Sequence, residues 1–485
     1  MPFSYFVQEG FTEIPHVVNK YCLHRLDDEN FLVTTEHGAW IVLNKEEFDL
    51  LRADAVTRDL NLFSALEEKG VIITEKNFER VAAMYKERFH HLFSGISLHI
   101  VVPTLRCNQK CIYCQSNSTS MRAKGFDMDR KTAKKVVDFI FQSPSQFLTI
   151  EFQGGEPLVN FPVVQHIVEY AKTKSRSRNF EGGWWKGKKD INFRLVSNFT
   201  LMDDDVLDFL MKNNFEINTS LDGPKKLHNR NRPYTGSSYN KVVYWIDRIR
   251  EKGYRQISAM PTVSKLSLKY PTEIVDEYIA RGFDSCWMRP LNIAGMAVSE
   301  WGKVGYSAEE FVNFWNDYID YVMKINGKGV KFADKTCVDI LKRVVTLKPA
   351  LNACLGAPCG ACIIQAAYNQ WGDVYTCDEA RSCEVFKLGN VKEGSYKKIF
   401  SSEHALNFIG LTSAVSSLCD SCVWHPYCSP CLVSSFGSQN NLITKPNDFL
   451  CRIRGRQVEF VFKQLALSGN NKMLLDWLSD TYKSY

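Results

Sequence analysis

The sequence predicts an α/β protein built on an open barrel of six parallel β/α units, with a small unit before the barrel and a cysteine-rich domain after it. From residue 97 to residue 324, apolar runs of strand length alternate with helical patterns. Alternating units of this kind give parallel strands with helices outside. Six units are too few to close an eight-fold barrel, so we expect a partial (β/α)6 barrel. The sixteen cysteines are clumped, with three at 107–114 and ten between Cys354 and Cys451.

The composition predicts a soluble globular protein. The 485 residues suggest two to four domains, and 45% hydrophobic with 24% charged residues is ordinary for such chains. We find no apolar stretch of spanning length and no signal peptide at the N-terminus, so we expect a cytoplasmic protein with no membrane partner. The net charge of +6 is spread along the chain and does not call for nucleic acid. Sixteen cysteines in an unsecreted chain favour metal binding over disulfides.

Residues 1–93 are predicted to form a winged-helix-like unit. The runs FLVTT and AWIVL, separated by residues 36–38, indicate a hairpin. Asn44 and Glu47 form a capping signature for a first helix, and a second helix runs from Leu60 to a stop at Gly70. A short strand and a third helix follow. Because neither of the first two helices has a basic face, DNA binding is disfavoured. The alternative is a cap that merely packs on the barrel.

Residues 94–330 are predicted to form the barrel, from six strands that each precede a helix. The predicted strands are 97–103, 148–154, 191–198, 216–222, 257–264 and 285–291. The predicted helices are 129–142, 160–172, 203–213, 239–252, 270–281 and 307–324. An insert at 179–190 interrupts one unit and reads as an exposed loop, with Trp184 and Trp185 either contacting substrate or packing.

The first barrel strand leads into a C-x3-C-x2-C motif of Cys107, Cys111 and Cys114. Thiolates are soft ligands that suit iron–sulfur clusters and zinc. Three close thiolates can hold three irons of a [4Fe–4S] cube, which leaves the fourth iron open for chemistry. The alternative is a structural metal knuckle or scattered core cysteines. With Tyr113 before its last cysteine, the motif resembles that of the radical S-adenosylmethionine (radical SAM) superfamily, which implies that S-adenosylmethionine binds the open iron.

Polar residues stand where the next four strands end, and such strand ends are where ligands gather in parallel sheets. The glycines of the GGEP run allow a close backbone approach, and Glu156 can accept from an ammonium group. The resemblance implies cofactor contacts at four places: Gly154, Gly155, Glu156 and Pro157 for the methionine amino group; Ser197 and Asn198 for ribose or carboxylate; Ser220 and Asp222 of the SLDGP form found in peptide- and protein-modifying members; and Met260 to Val263 for adenine.

The C-terminal cysteines form an array that ends in two CxxC pairs. Zinc ribbons usually separate such pairs by a dozen or more residues, whereas only the five residues VWHPY separate them here. More than four thiolates also need a partner, so two further [4Fe–4S] clusters fit the count better. The array resembles the SPASM extension of radical SAM enzymes, although the last gap is two residues and the usual SPASM gap is three. We place this domain at 331–455, and C-terminal helices at 456–485.

The SPASM resemblance implies two auxiliary ligand sets. One takes Cys377 and Cys431 with two of Cys354, Cys359 and Cys362. The other takes four cysteines: Cys419, Cys422, Cys428 and Cys451. Asp378 directly follows a predicted ligand, and in some SPASM enzymes an acid at this position takes the proton of the substrate. The alternative for Asp378 is a solvated loop carboxylate.

The whole layout most resembles the maturases of ribosomally synthesised peptides. The runs at 25–38, 102–115 and 451–462 suggest the type found in His-Xaa-Ser systems. The resemblance implies hydrogen abstraction by a 5′-deoxyadenosyl radical, and oxidative formation of a cyclophane or thioether cross-link in a precursor peptide. Its implied partners are the leader of that peptide, bound to the N-terminal unit as an added strand, and an electron donor such as flavodoxin or ferredoxin. The alternatives are formylglycine formation of the anaerobic sulfatase-maturase kind, peptide epimerisation, and a non-enzymatic electron-transfer or scaffold protein.

Overall fold

The computed structural model describes residues 14–176, 188–348, 354, 357–413, 417–442, 448–467 and 471–483. Trp184 and Trp185 of the predicted insert lie outside these residues. Among the described helices, none has the length and apolar character that a membrane span requires.

The N-terminal unit is a small sheet with three helices. In chain order its elements are β1 Val17–Val18, β2 Tyr21–Arg25, β3 Phe31–Thr35, β4 Trp40–Leu43, α1 Lys45–Arg52, α2 Leu60–Lys69, β5 Ile72–Ile73 and α3 Phe78–Phe89. Strands β2, β3 and β4 form an antiparallel sheet in that order, so β2 and β4 are its edges. The predicted capping box of Asn44 and Glu47 starts α1, and Gly70 ends α2 in a left-handed conformation. The unit has its own core around Val33, Leu66 and other apolar side chains.

The barrel begins after this unit. In chain order its elements are β6 Leu98–Thr104, β7 Arg106–Cys107, β8 Thr119–Ser120, α4 Arg130–Ile140, β9 Phe147–Gly154, α5 Phe161–Arg176, β10 Asp190–Ser197, α6 Asp204–Lys212, β11 Glu216–Ser220, α7 Lys225–Asn231, α8 Ser238–Glu251, β12 Ile257–Met260, β13 Thr262–Val263, α9 Pro271–Ala280, β14 Ser285–Cys286, β15 Arg289–Pro290, α10 Met296–Val304 and α11 Ala308–Asn326. The six predicted helices are present as α4, α5, α6, α8, α9 and α11, and their ends lie within a few residues of the prediction.

The C-terminal part follows with short strands and seven helices in the described residues. Its elements are β16 Ala333–Asp334, α12 Lys335–Thr346, β17 Gln365–Tyr368, β18 Asp373–Tyr375, β19 Lys387–Asn390, α13 Tyr396–Phe400, α14 Glu403–Ser413, α15 Ser417–Asp420, α16 Leu432–Gln439, α17 Asp448–Ala466 and α18 Asn471–Lys483. Both predicted C-terminal helices are present as α17 and α18.

One sheet of eight strands joins the barrel to the C-terminal part, in the order β12-β11-β10-β9-β6-β17-β18-β19. The first five strands are parallel, as an α/β barrel requires, and β17 adds in parallel to β6. Strands β18 and β19 then turn back antiparallel. The fold class is confirmed: the barrel is open. The sequence did not predict that the C-terminal part continues the barrel sheet, because the apolar run of β17 is only four residues long.

The sixth predicted strand, 285–291, is split. Its first half, β14, pairs with β16, and its second half, β15, pairs with β13. The open barrel therefore continues after β12 as short paired segments. The carboxyl ends of β9, β10, β11 and β12 meet at one cavity.

Candidate active site

A cavity of about 200 Å³ lies at the carboxyl ends of the barrel strands. Most of the residues predicted to bind the cofactor line it, namely Cys107, Cys111, Tyr113, Cys114, Gly154, Gly155, Glu156, Ser197, Asn198, Ser220 and Met260. The predicted substrate-side acid Asp378 lines the same cavity. Three predicted residues, Pro157, Asp222 and Val263, do not line it. The structure therefore brings most of the predicted site residues together at one cavity and places these three outside its lining.

The three-cysteine loop presents its sulfur atoms with hydrogen-bond donors around them. Cys107 Sγ accepts from the main-chain N–H of Gln109 at 3.4 Å and from Asn198 Nδ2 at 3.8 Å. Cys111 Sγ accepts from Arg232 Nη1 at 3.8 Å. Burial raises the pKa of Cys107 to about 12 and that of Cys111 to about 11. Because only a thiolate binds metal, a bound cluster displaces these protons, and the donors then stabilise negative sulfur.

Asp222 supports this loop from behind and does not contact the cavity. Its side chain is fully buried, and Arg232 Nε donates to its Oδ2 at 3.2 Å. The hydroxyl of Tyr113 also donates to Oδ2, and the main-chain N–H of Thr262 donates to Oδ1 at 3.2 Å. The Arg232 guanidinium lies over the Tyr113 ring at 5.4 Å. This buried network joins the cysteine loop to the ends of β11 and β12. Asp222, for which a cofactor contact was predicted, lies in this network and does not line the cavity.

The two glycines of the GGEP run pack against the cysteine loop. A Cβ on Gly155 would lie 2.3 Å from the main-chain oxygen of Arg106, and a Cβ on Gly154 would lie 2.6 Å from that of Thr104. Gly154 also has a φ of +129°, which L side chains rarely adopt. A side chain at either position would collide with the main chain that leads to Cys107, so both positions require glycine. Pro157 only starts the turn at 157–160 and is buried.

Glu156 is fully buried, and its carboxylate accepts three hydrogen bonds from the chain itself. Oε1 accepts from Leu158 N at 3.1 Å and from Ser197 Oγ at 2.8 Å, and Oε2 accepts from Asn198 N at 2.8 Å. Burial raises its pKa to about 7, against the lowering effect of these donors. The sequence predicted that this carboxylate accepts from an ammonium group. The structure shows that it also ties the end of β9 to the end of β10.

At the end of β12, only part of the segment predicted to contact adenine, Met260 to Val263, lines the cavity. Met260 lines the cavity, but Val263 is fully buried and its carbonyl accepts from Tyr306 Oη at 2.9 Å. Thr262 lines the cavity between them. The strand breaks after Met260, so a prediction that assumed a continuous strand placed Val263 on the wrong face.

The cavity wall opposite the cysteine loop comes from the segment after β18. Arg381 Nε donates to Asp378 Oδ1 at 2.7 Å, and Arg381 Nη2 donates to Gln153 Oε1 at 3.2 Å. Arg289 pairs with Glu379 beside them. Sequence reasoning missed Gln153, Arg289 and Arg381. Gln153 directly precedes the glycine pair at a strand end, and this position could have indicated that it belongs to the site. The two arginines reach the cavity only through the tertiary fold.

The C-terminal cysteines form two groups. In the first, burial raises the pKa of Cys377, and the thiols of Cys354, Cys359 and Cys431 raise it further, which shows that the four side chains are neighbours. Cys362 lies beside Cys359, the only thiol that contributes to its raised pKa after burial. Of the alternatives that the sequence left open, the structure thus brings Cys354 and Cys359 into this group and leaves Cys362 at its edge.

The second group contains the four cysteines that the sequence assigned to it. Burial raises the pKa of Cys451 to about 12, and the thiols of Cys428, Cys419 and Cys422 raise it as well. Cys422 also has Cys22 of the N-terminal unit among its neighbours. The structure therefore brings a cysteine from outside the array to this group.

The donor sets suit clusters better than single ions. In the part of the chain that the structure describes, no three His, Cys, Asp or Glu side chains are arranged to hold one metal ion. A [4Fe–4S] cube spreads its thiolates more widely, because each thiolate binds a different iron. Soft sulfur donors gathered in groups of three and four suit iron–sulfur clusters.

Comparison with known proteins agrees with this geometry. Residues 101–277 match the radical SAM superfamily, and residues 354–423 match the iron–sulfur cluster-binding domain SPASM. The cysteine-type anaerobic sulfatase-maturating enzyme of Clostridium perfringens is 25% identical over 389 residues, which cover 78% of this chain and 99% of that protein.

Two solved structures share the fold. The structure of native anSMEcpe with bound AdoMet and Kp18Cys peptide has a TM-score of 0.65 and 20% identity, covering 77% of this chain and 99% of that chain. Streptococcus suis SuiB bound to precursor peptide SuiA has a TM-score of 0.53 and 15% identity, covering 88% of this chain and 98% of that chain. The chain thus contains a radical SAM domain followed by a SPASM domain and has the fold of radical SAM maturases, and these two kinds of domain use S-adenosylmethionine and iron–sulfur clusters.

Proposed function

We propose that this enzyme oxidises a ribosomally synthesised precursor peptide, forming a cyclophane- or thioether-type cross-link after hydrogen abstraction from the peptide. The observation that carries the proposal is that Asp378 and the three-cysteine loop line one cavity. A net oxidation that forms a cross-link removes a hydrogen atom, an electron and a proton from the substrate, and this cavity brings the site of hydrogen abstraction and a proton acceptor together. Asp378 follows Cys377 directly, so the proton acceptor is also adjacent to a proposed cluster ligand.

Three [4Fe–4S] clusters are part of the proposal. Cys107, Cys111 and Cys114 would hold the first, which leaves one iron for S-adenosylmethionine. The auxiliary clusters would take two sets of four thiolates: Cys354, Cys359, Cys377 and Cys431, and Cys419, Cys422, Cys428 and Cys451. When bound, the first cluster and S-adenosylmethionine supply a 5′-deoxyadenosyl radical. The auxiliary clusters would take up the electron left on the substrate, and a flavodoxin or ferredoxin would reduce the first cluster.

The roles of the chain follow from its contacts. Gln109, Asn198 and Arg232 would donate to the cluster thiolates and orient them. Met260 and Thr262 would contact the adenine side of the cofactor.

Asp378 would accept the proton that the oxidised substrate releases. Arg381 holds its carboxylate at one oxygen, Oδ1, through Nε at 2.7 Å. Because Arg381 binds Oδ1, the second oxygen, Oδ2, can face the substrate. General bases of this kind typically contribute about 10²–10⁴-fold to the rate.

The N-terminal unit supports a peptide substrate with a leader. Its sheet has β2 as an edge strand, and an edge strand can accept a peptide as an added strand. The unit also contacts the loop that carries Cys419 to Cys428, through Thr34 Oγ1 to the carbonyl of Val423 at 2.9 Å. A leader held there would deliver the core peptide to a neighbouring cavity.

Formylglycine formation on a sulfatase is the second candidate. The likeness to the Clostridium perfringens enzyme over 99% of its length favours it. Formylglycine formation would use the same radical SAM site and the same proton acceptor, Asp378. The cavity alone therefore does not distinguish formylglycine formation from cross-link formation.

The test incubates reduced enzyme, S-adenosylmethionine and a candidate precursor peptide, beside a sulfatase-derived peptide. The proposal expects loss of two hydrogens from the precursor, no reaction with an aldehyde-specific hydrazide, and a large loss of rate when the leader is removed. Aldehyde formation on the sulfatase peptide would instead establish the second candidate. An unchanged precursor mass with deuterium uptake from solvent would establish epimerisation.

A further inference from the structure

The N-terminal unit is docked on the loop of the second auxiliary cysteine group. The hydroxyl of Tyr427 donates to the carbonyl of Gly38 at 2.7 Å, and Cys22 Sγ donates to the carbonyl of Asp420 at 3.6 Å. Lys20 forms an ion pair with Asp420. Contacts from several strands of the unit therefore converge on residues 420–427, directly around two proposed ligands.

Three arginines donate to main-chain carbonyls within two residues of Cys428, and we call them the arginine collar: Arg88, Arg343 and Arg454. They come from α3 of the N-terminal unit, from α12 and from α17. Each donates to a main-chain carbonyl next to Cys428: Arg88 to Pro426, Arg343 to Tyr427 and Arg454 to Ser429.

The collar also reaches the first auxiliary group. Arg454 Nη2 donates to the carbonyl of Cys354 at 3.2 Å. Burial lowers the pKa of Arg454, but the thiols of Cys428 and Cys431 raise it overall. One guanidinium thus lies between the two thiol groups.

Burying these cations requires nearby negative charge. Arg88 is 3% exposed and Arg343 is 2% exposed, and an isolated buried charge is costly. The Glu36 carboxylate opposes the lowering of the pKa of Arg88 by burial, and Asp339 does the same for Arg343. Arg343 is also repelled by both of the other arginines. Four thiolates around an iron–sulfur core would add negative charge beside the collar.

We propose that the N-terminal unit is a structural part of the second auxiliary cluster site, and that Arg88 joins Arg343 and Arg454 to raise the reduction potential of the cluster held by Cys419, Cys422, Cys428 and Cys451. The inference rests on the proposed cluster assignment but not on the proposed substrate. A reduced cluster carries one more negative charge than an oxidised one, so a nearby buried cation stabilises the reduced form. The N-terminal unit therefore tunes the reduction potential of an auxiliary cluster.

The experiment uses the full chain with C107A, C111A and C114A, so that only the auxiliary clusters remain. Two variants change the collar, R88M and R88K, and R80M is the matched control. Arg80 lies on the same helix and also donates to main-chain carbonyls, those of Glu67 and Glu68, but it is exposed and far from the thiols in sequence and contact. Iron content and electron paramagnetic resonance during a redox titration are measured for each.

In R88M, one of the two midpoint potentials is expected to shift to a more negative value while the other stays in place. R88K and R80M are expected to leave both potentials unchanged. Unchanged potentials in R88M at full iron content would overturn the proposal. If R88M loses one cluster, R88K is expected to keep it, and loss in R88K as well would refute the electrostatic role. None of these measurements needs S-adenosylmethionine or a peptide, so failure of the proposed reaction is seen separately.

Discussion

The buried network of Asp222 gives the sharpest prediction about what holds the cysteine loop in place. The substitution D222N keeps the shape of the side chain and removes its charge. Asp222 is fully buried, and the side chain of its partner Arg232 is 10% exposed. The variant therefore leaves a buried guanidinium without its carboxylate, next to the proposed ligand Cys111.

The expected loss of folding free energy in D222N follows from the burial of the Asp222–Arg232 ion pair. Breaking a buried ion pair by removing one partner costs about 3–5 kcal/mol. The barrel offers a matched control in Arg194 and Glu216, which are 2.6 Å apart with side chains 32% and 33% exposed. An exposed pair contributes less than about 1 kcal/mol, so E216Q is expected to lose no more than that.

The assay is equilibrium urea unfolding of the full chain, followed by tryptophan fluorescence and circular dichroism, with iron content measured beforehand. D222N is expected to lower the free energy of unfolding by about 3–5 kcal/mol and to reduce the iron retained by the three-cysteine loop. A D222N chain as stable as E216Q, with full iron content, would show that the network does not support the loop.

Further predictions concern the loop, the acid and a buried histidine. G155A is expected to lose the first cluster, because its Cβ would meet a main-chain oxygen at 2.3 Å, whereas G302A, with open space around its Cβ, is expected to keep it; iron analysis compares them. D378N is expected to keep all clusters and to cleave S-adenosylmethionine, but to form product about 10²–10⁴-fold more slowly, and equal product rates would remove Asp378 from catalysis. Burial lowers the pKa of His99 to about 3, so the folded chain leaves it neutral while the unfolded chain protonates it below about pH 6.5. Its contribution to stability is thus present above pH 6.5 and is lost as the pH falls; from pH 7.5 to 5.5 the loss is about 1.4 kcal/mol, which H99Q should abolish and H166Q should not.

The fold and the first cysteine loop could be predicted because their signals are local. Alternating apolar runs predict parallel strands and helices, and the C-x3-C-x2-C spacing predicts a three-thiolate site at a strand end. The capping box of Asn44 and Glu47 and the helix stop at Gly70 were found for the same reason. Each of these features lies within a few residues of sequence.

The parts that could not be predicted depend on long-range contacts. Arg381 and Arg289 reach the cavity from segments far along the chain, and nothing near them in sequence indicates this. The same holds for Arg88, whose partner Pro426 is 338 residues away. Val263 was misplaced because the strand breaks after Met260, which turns the following residues. The choice of Cys354 beside Cys359 likewise needed the three-dimensional arrangement of the thiols.

The central claim is a [4Fe–4S] cluster that is held by Cys107, Cys111 and Cys114 and whose fourth iron is open to S-adenosylmethionine. The most direct measurement is the electron paramagnetic resonance spectrum of the reduced enzyme before and after S-adenosylmethionine is added. The account predicts that one [4Fe–4S] signal changes on addition, and that this signal is missing from the C107A/C111A/C114A chain while the auxiliary signals remain. A spectrum that S-adenosylmethionine leaves unchanged, in enzyme with full iron content, would contradict it.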